Sequence, residues 1–251
     1  MNEITSSIQV IDRAVSLLDA LSNYDQPVSL KFLAADTGLH SSTAFRILGS
    51  LIVHGLVERT EGGDYHLGNR LLRWGDQVRS RIDIRSEARP VMAWLRDQVG
   101  ETVNLTVREG DEVVYVERVT GRHAIRVEQV IGSRAPLHVT AVGKLMLGEL
   151  GEQSIREFAQ RTGLPGFTKN TLSNETALAQ QIERDMRNGY AFDDEEAELG
   201  VGCIGVLIRD SSGSVVAGLS VSAPIERRKS EWVERLVDAG KKISARLGYS
   251  G

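Results

Sequence analysis

Apolar residues in the first fifty positions recur every three or four residues, which is the period of an α-helix. A short second helix is predicted from the capping residue Ser29 to about Gly38, and a third is predicted to start at the cap-forming residues Ser41 and Ser42. Before them, an amphipathic helix is predicted over about residues 8–22. Its expected apolar face consists of Ile8, Ile11, Val15, Leu18 and Leu21.

The third predicted helix has two chemically different sides. Ser42 and Arg46 point outward at about 100° per residue, with Thr43 and Phe45 on the flanks. Together with the alternating hairpin pattern around "EGGD", this side predicts a winged helix-turn-helix that enters a DNA groove. The pattern leaves open a plain trihelical core or a protein-binding winged helix. The other side, which is expected to pack inward, consists of Ala44, Ile47, Leu48 and Leu51.

Alternating β-branched residues become frequent after about residue 100. Two runs around "EGDE" predict a hairpin, and "HAIRVEQV" at 123–130 predicts a further strand. Strands gathered on one side of helices predict an α+β architecture built on an antiparallel sheet. The remaining predicted elements are helices at about 140–150, 152–161 and 174–188, strands at 203–210 and 215–224, and a last helix at about 230–247.

Composition narrows the classes of function. The net charge of −4 argues against bulk attraction to nucleic acid, and residues 1–81 carry eight basic against nine acidic side chains. Few phosphate contacts per copy are therefore available, so we expect two or more copies on a palindromic or repeated site, as a homodimer or a dimer-of-dimers tetramer. The single cysteine, Cys203, excludes a disulfide framework, and no metal or cofactor motif occurs. Without a leader or an apolar span, we expect a cytoplasmic protein with no membrane partner.

The glycines of "GVGCIG" at 200–205 have the spacing of a dinucleotide-binding loop. Such a loop leaves a buried strand and opens a helix. Here the preceding "YAFDDEEAEL" does not read as a buried strand, and the following "VLIRD" reads as a strand. We therefore expect the glycines to allow close approach of the backbone to a neighbour or a small ligand.

The stretch "GLHSSTAFRILGSLIVHGLVER" at 38–59 resembles the IclR family of bacterial transcriptional regulators, and the resemblance extends through the chain. It implies a winged helix-turn-helix domain over 1–68, a linker helix over 69–83 and a GAF-like effector-binding domain over 84–251. The expected DNA contacts are Ser41, Ser42, Thr43, Phe45, Arg46 and, at the base of the wing, Arg59. The wing departs from what DNA contact favours, because Glu61 and Asp64 would repel a phosphate backbone.

The resemblance also implies where a small-molecule effector binds. "PLHVTAVGKLML" resembles the family's pocket-lining loop and helix start, where N–H groups suit an anion, and "GYAFDDEEAELGVGC" resembles its acidic run ending in cysteine. By strand alternation, Ser220 and Ser222 present two hydroxyls on one side. The expected effector contacts are Val127, Ala141, Val142, Leu145, Asp193, Val201, Cys203, Ser220 and Ser222.

Each of these residues also has a plainer interpretation. Cys203 fits inert packing, the "DDEE" run fits a solvated helix start, the two serines fit an exposed strand face, and Lys144 fits solvent better than an anion clamp. An enzyme would need Cys203 as a nucleophile, with His138 or His123 as its base, but no local signature groups them. The sequence therefore predicts a regulator and no enzyme. We expect the repressor of a catabolic operon, responsive to a small organic acid or a related aldehyde or lactone.

Overall fold

The computed structural model describes residues 8–79 and 82–251. Packing divides the chain into two units, Met1–Arg81 and Ile82–Gly251. The predicted linker helix is seen as a helix up to residue 79, and positions 80 and 81 of the predicted 69–83 segment lie outside the described residues.

The first unit consists of short helices followed by a two-stranded hairpin. Its core is formed by aliphatic residues from all three leading helices together with Val57 and Tyr65 of the hairpin. The predicted winged helix-turn-helix is confirmed. Its elements are α1 (Gln9–Ser22), α2 (Leu30–Asp36), α3 (Ser41–Val53), β1 (Val57–Arg59), β2 (Tyr65–Leu67) and α4 (Arg70–Arg79).

Two local expectations in this unit were wrong. The predicted apolar face of α1 is largely solvent-exposed at Ile8, Ile11 and Val15, because the small core buries mainly the second half of the helix, through Leu17 and Leu21. The serines also do not act as side-chain caps. His40 occupies the N-cap position of α3, and the Ser29 side chain makes no cap hydrogen bond at α2.

The second unit is a sheet covered by helices on both faces. Among its described residues the sheet has the strand order β5-β4-β3-β8-β7-β6, and every neighbouring pair is antiparallel, so the predicted α+β class is confirmed. Its elements are α5 (Ile84–Val99), β3 (Thr102–Glu109), β4 (Glu112–Val119), β5 (Arg134–Pro136), α6 (Ala141–Glu149), α7 (Glu152–Thr162), α8 (Glu175–Asn188), β6 (Ala191–Asp194), β7 (Val201–Arg209), β8 (Val215–Pro224) and α9 (Trp232–Arg246).

The two faces of this sheet differ in chemistry. Alternate residues of β3, β7 and β8, such as Leu105, Ile204 and Val221, form the main core against α5 and α9. On the opposite face α6 comes very close to the sheet at two glycines. A Cβ added to Gly205 would lie 2.7 Å from Val142 Cγ1, and one added to Gly218 would lie 2.7 Å from Val142 Cβ. The last glycine of "GVGCIG", Gly205, therefore serves the packing of α6 against a strand.

Residues 123–130 were predicted as a strand but form an irregular segment. Strand β5 pairs with β4 in its place. Two arginines hold segment 123–130 by donating hydrogen bonds to its backbone carbonyls, Arg118 to Gln129 at 2.6 Å and Arg227 to Ile125 at 2.7 Å. The acidic run was expected not to form a strand, but Ala191–Asp194 is one. It pairs with β7, which buries Asp193 and excludes the solvated helix start.

Candidate functional site

The outward side of α3 is solvent-exposed, as the sequence predicts. Ser41, Ser42 and Arg46 are exposed, Thr43 is half-buried, and the Phe45 side chain is 51% exposed. The inward side is buried against α1 and α2. The helix therefore offers small polar groups, one cation and one aromatic ring to a partner without unpacking its core.

Arg59 is exposed at the base of the wing but has interactions within the wing itself. Its Nε donates to the carbonyl of Gly63 at 2.9 Å, and its guanidinium carbon lies 5.3 Å from the centre of the Tyr65 ring. These contacts fix the guanidinium beside the turn, with its remaining N–H groups available to an anion.

The second candidate site lies on the α6 face of the sheet, where β-strand register brings polar residues together. One row of paired positions runs Thr102, Ser222, Cys203, Asp193, and the next runs Asn104, Ser220, Gly205, Ala191. The Cys203 thiol lies 3.2 Å from Ser222 Oγ, and Asn104 Nδ2 donates to Ser222 Oγ at 3.1 Å. We call Asn104, Asp193, Cys203, Ser220 and Ser222 the polar cluster.

The start of α6 lies beside the polar cluster. Thr140 is its N-cap, and its side chain accepts a hydrogen bond from the N–H of Gly143 at 3.1 Å. Ala141 and Val142 begin the helix over Gly205. The first turn of a helix leaves N–H groups without intrahelical partners, which favours an anion there. The apolar wall formed by Ala141, Leu145, Ala191 and Cys203, with Val201 packed against it, completes this corner.

Burial sets the protonation of the polar cluster. Desolvation raises the pKa of Asp193 from 3.8 to about 6, and hydrogen bonding from the Glu196 N–H opposes that rise. Burial, with the nearby Asp193 charge, also raises the pKa of the Cys203 thiol. Burial likewise raises the pKa of the Tyr115 phenol, and the nearby charges of Cys203 and Asp193 raise it further. The cluster therefore consists of neutral groups beside one carboxyl group that can change its charge near neutral pH.

Lys144 was expected in solvent, and the structure corrects this. Its side chain is 1% exposed and forms an ion pair with Glu196, which is also buried. A lysine removed from water needs a carboxylate partner, and the acidic run supplies one.

Most of the predicted effector contacts come together, and two important neighbours were missed. Val127 is half-buried in segment 123–130, and its place in the site stays a prediction. Gln129, two residues later, does reach the polar cluster, because its Oε1 accepts from Asn104 Nδ2 at 3.1 Å. The alternation of "TVNLTV" contained a signal for Asn104, since it puts three polar residues on one strand face.

The histidines of the enzyme alternative have other partners. His138 Nε2 donates to the Pro165 carbonyl at 3.1 Å, and burial lowers the pKa of its ring. His123 is exposed beside Glu101 at 3.6 Å. A raised thiol pKa opposes nucleophilic attack, because the thiolate is the reactive form. Among the described residues, no group of three His, Cys, Asp or Glu side chains could hold a metal ion.

Comparison with known sequences decides the family. The profile described as "IclR helix-turn-helix domain" matches residues 10–61, and the profile described as "Bacterial transcriptional regulator IclR C-terminal" matches residues 76–246. The chain belongs to the IclR family of bacterial transcriptional regulators. The prediction of a DNA-binding regulator and not an enzyme is confirmed by this membership.

Individual IclR-family proteins are similar along nearly the whole chain. The HTH-type transcriptional regulator XynR of Escherichia coli K12 is 33% identical over 247 residues, which cover 96% of this chain and 98% of XynR. The crystal structure of the Agobacterium tumefaciens repressor BlcR matches with a TM-score of 0.81 and 29% identity, covering 98% of this chain and 99% of BlcR. An IclR homologue from Microbacterium hydrocarbonoxydans, solved in complex with 4-hydroxybenzoate, matches with a TM-score of 0.62 and 27% identity, covering 95% and 98%.

No helix in the described part of the chain is long and apolar enough to cross a membrane.

Proposed function

We propose that this IclR-family protein is an effector-responsive repressor of a catabolic operon that binds double-stranded DNA through the outward side of α3. The proposal rests chiefly on one observation, the exposure of Ser42 and Arg46 on a helix whose other side forms the core of the unit. An arginine suits the two acceptors of a guanine edge, and serine hydroxyls suit bases or phosphates. Ser41, Thr43, Phe45 and Arg59 are proposed as flanking contacts.

The proposed effector is a small organic acid or a related aldehyde or lactone, bound beside the polar cluster and the start of α6. Two hydroxyls, a thiol and helix N–H groups support recognition of a carboxylate or carbonyl. Ala141, Val142, Leu145 and Val201 would form apolar walls, and Val127 would close the site from segment 123–130. The 4-hydroxybenzoate complex concerns the Microbacterium homologue and supports the same class of ligand.

Effector binding is proposed to change how well two or more copies of the protein span repeated half-sites. The excess of acidic over basic side chains in residues 1–81 supports a need for several copies, since each offers few phosphate contacts. The effector acts on DNA binding only as far as its affinity differs between the DNA-bound and free proteins.

The test is a fluorescence anisotropy titration of the full-length protein with the DNA upstream of its own gene and with a scrambled duplex of equal length. Small carboxylates, aldehydes and lactones are added one at a time. We expect preference for the upstream DNA and a changed affinity with at least one compound class. Equal affinity for both duplexes would contradict the proposed DNA contact, and an unchanged affinity with every compound would contradict the proposed effector class.

A further inference from the structure

Lys144 is a buried cation one helical turn into α6, behind the residues that start the helix at the polar cluster. Its side chain is 1% exposed, and its Nζ donates to Glu196 Oε1. The Glu196 side chain is 7% exposed, so almost no water screens this pair. Nothing in DNA contact or in the expected effector contacts requires a lysine at this position.

Glu196 connects this ion pair to the titrating carboxyl group of the polar cluster. Its backbone N–H donates to Asp193 Oδ1 at 2.8 Å, and its Oε1 accepts from the N–H of Asp194 at 3.5 Å. The ion pair therefore joins α6 to the chain immediately after β6. Because Asp193 precedes Glu196 by three residues, the position of Glu196 constrains the Asp193 carboxyl group.

The charges around Asp193 make Lys144 important for its ionisation. Lys144 lowers the pKa of three buried carboxyl groups, Asp185, Asp193 and Glu196, while desolvation raises all three. Glu196 acts in both directions, because its backbone N–H lowers the pKa of Asp193 through a hydrogen bond while its side-chain charge raises it. Several titratable or charged groups face Asp193 or its close neighbours. They are Lys144 of α6, Asp185 of α8, His138 before α6, Asp194 of β6, Glu196 after β6, Cys203 of β7, Tyr115 of β4 and Arg228 after β8.

Arg228 does not replace Lys144 in this role. One of its guanidinium nitrogens donates to the backbone carbonyl of Asp193 at 2.9 Å, and it forms an ion pair with the exposed carboxylate of Asp194. Its guanidinium carbon also lies 4.6 Å from the centre of the Phe192 ring. These contacts direct the cation to the strand backbone and to Asp194, whereas Lys144 is held within the group of buried carboxylates.

We infer that Lys144 is the positioning residue of the candidate effector site: through its ion pair with Glu196 it fixes the place of the Asp193 carboxyl group and keeps a positive charge near it. The inference rests on the proposed function in taking Asp193 as an effector contact. With Lys144 present, Asp193 is mainly ionised at neutral pH and accepts hydrogen bonds from an effector; without that charge, a larger fraction of Asp193 keeps its proton and donates instead.

The test is a ¹³C NMR titration of the Asp193 carboxyl group in the full-length, effector-free protein, with the signal assigned by Asp193→Asn. Lys144→Met keeps the length of the side chain and removes its charge, which leaves two buried carboxyl groups, Asp193 and Glu196, with no lysine beside them. The midpoint of the step that ionises the second of these two groups is expected to rise by about one pH unit or more. Glu196→Gln removes a like charge and is expected to lower it. The double variant removes both charges and is expected to return the midpoint close to the wild-type value, while keeping the buried pair neutral.

Opposite shifts in the two single variants separate an electrostatic role from loss of structure, which would shift both in the same direction. The exposed Lys169→Met serves as the control, with an unchanged midpoint. If Lys144→Met does not fold, the directions of the midpoint shifts in Glu196→Gln and in the double variant still test the inference. Unchanged midpoints would overturn the inference. The titration uses neither DNA nor effector, so its failure is distinguishable from failure of the proposed function, which the anisotropy titration reports.

Discussion

The outward side of α3 and the polar cluster are both built from small polar residues, yet they are opposite in environment. On α3 the side chains face solvent and Arg46 is exposed. In the polar cluster Asn104 is 0%, Ser222 1% and Asp193 3% exposed. A polar group in water gains little from the fold, whereas a buried polar group must be hydrogen-bonded or else costs stability.

This difference teaches where stability and function are coupled. Substitutions on α3 should change DNA binding and leave unfolding nearly unchanged, because exposed positions typically shift stability by within about 0.5 kcal/mol. Substitutions in the polar cluster should change both unfolding and effector response. The comparison therefore predicts which variants separate the two properties and which cannot.

The largest expected effect concerns the buried carboxyl group. Between about pH 4 and pH 6 the folded protein keeps a proton on Asp193 that the unfolded chain has released, so the free energy of unfolding falls as pH rises through this window and levels off above it. Asp193→Asn removes the ionisable group and with it this loss of unfolding free energy at high pH. We expect it to raise the free energy of unfolding by about 3 kcal/mol at pH 8 and by near zero at pH 4, measured by urea unfolding.

Asp238→Asn, on the exposed side of α9, is the matched control, with the same change of group and no expected pH-dependent gain. An equal gain for Asp193→Asn at both pH values would show that its charge is not the source.

Close approach of α6 to the sheet gives the second effect. In Gly205→Ala the new Cβ would meet Val142 Cγ1 at 2.7 Å and the Val142 backbone nitrogen at 2.9 Å. We expect the unfolding free energy of the second unit to fall by about 2 kcal/mol, because helix and strand must separate. Gly49→Ala, in α3, meets nothing within 4 Å and is expected to stabilise its helix by about 0.5–1 kcal/mol. A change of the unfolding free energy in the same direction for both substitutions would contradict this difference between the two regions.

Arg46→Ala should affect DNA binding alone. A loss of about tenfold or more in affinity for the upstream duplex is expected, the value of one lost arginine contact to a base edge. The same protein should unfold at the wild-type urea concentration, since Arg46 is exposed. Arg156→Ala on α7 removes the same charge from the second unit and should leave the anisotropy titration unchanged. Wild-type affinity in Arg46→Ala would remove this residue from the contact surface.

The smallest effect is expected at the wing. Arg59 shares its guanidinium with Gly63 and the Tyr65 ring, so we expect only about a threefold loss of DNA affinity for Arg59→Ala, the size of one exposed ion pair. A lost phosphate contact also lowers the salt dependence of binding by about one unit of slope. A loss as large as that of Arg46→Ala, without a change in salt slope, would indicate base recognition by the wing.

The sequence predicted the α3 side well because a helix face depends on local periodicity, which Ala44, Ile47 and Leu48 display directly. Strand alternation paired Ser220 with Ser222, and resemblance added Asp193 and Cys203 to the polar cluster. Asn104 was missed, because strand register joins it to Ser222, which is distant in the chain. The sequence did not predict the burial of Lys144, because its ion-pair partner Glu196 lies fifty-two positions away in the chain.

The same limit explains the wrong strand at 123–130. Polar and apolar residues do alternate along this segment, but within the described residues β4 pairs with β3 on one edge and with β5 on the other. Pairing partners are a property of the whole sheet, and a single segment does not encode them.

The most direct test of the account is operator binding by Ser220→Ala/Ser222→Ala, with and without a compound that shifts the wild-type titration. The account predicts wild-type DNA affinity without the compound and a lost or strongly weakened response with it, because the two hydroxyls lie in the second unit and the DNA contacts in the first. A full wild-type response would contradict the assignment of the effector site to the polar cluster.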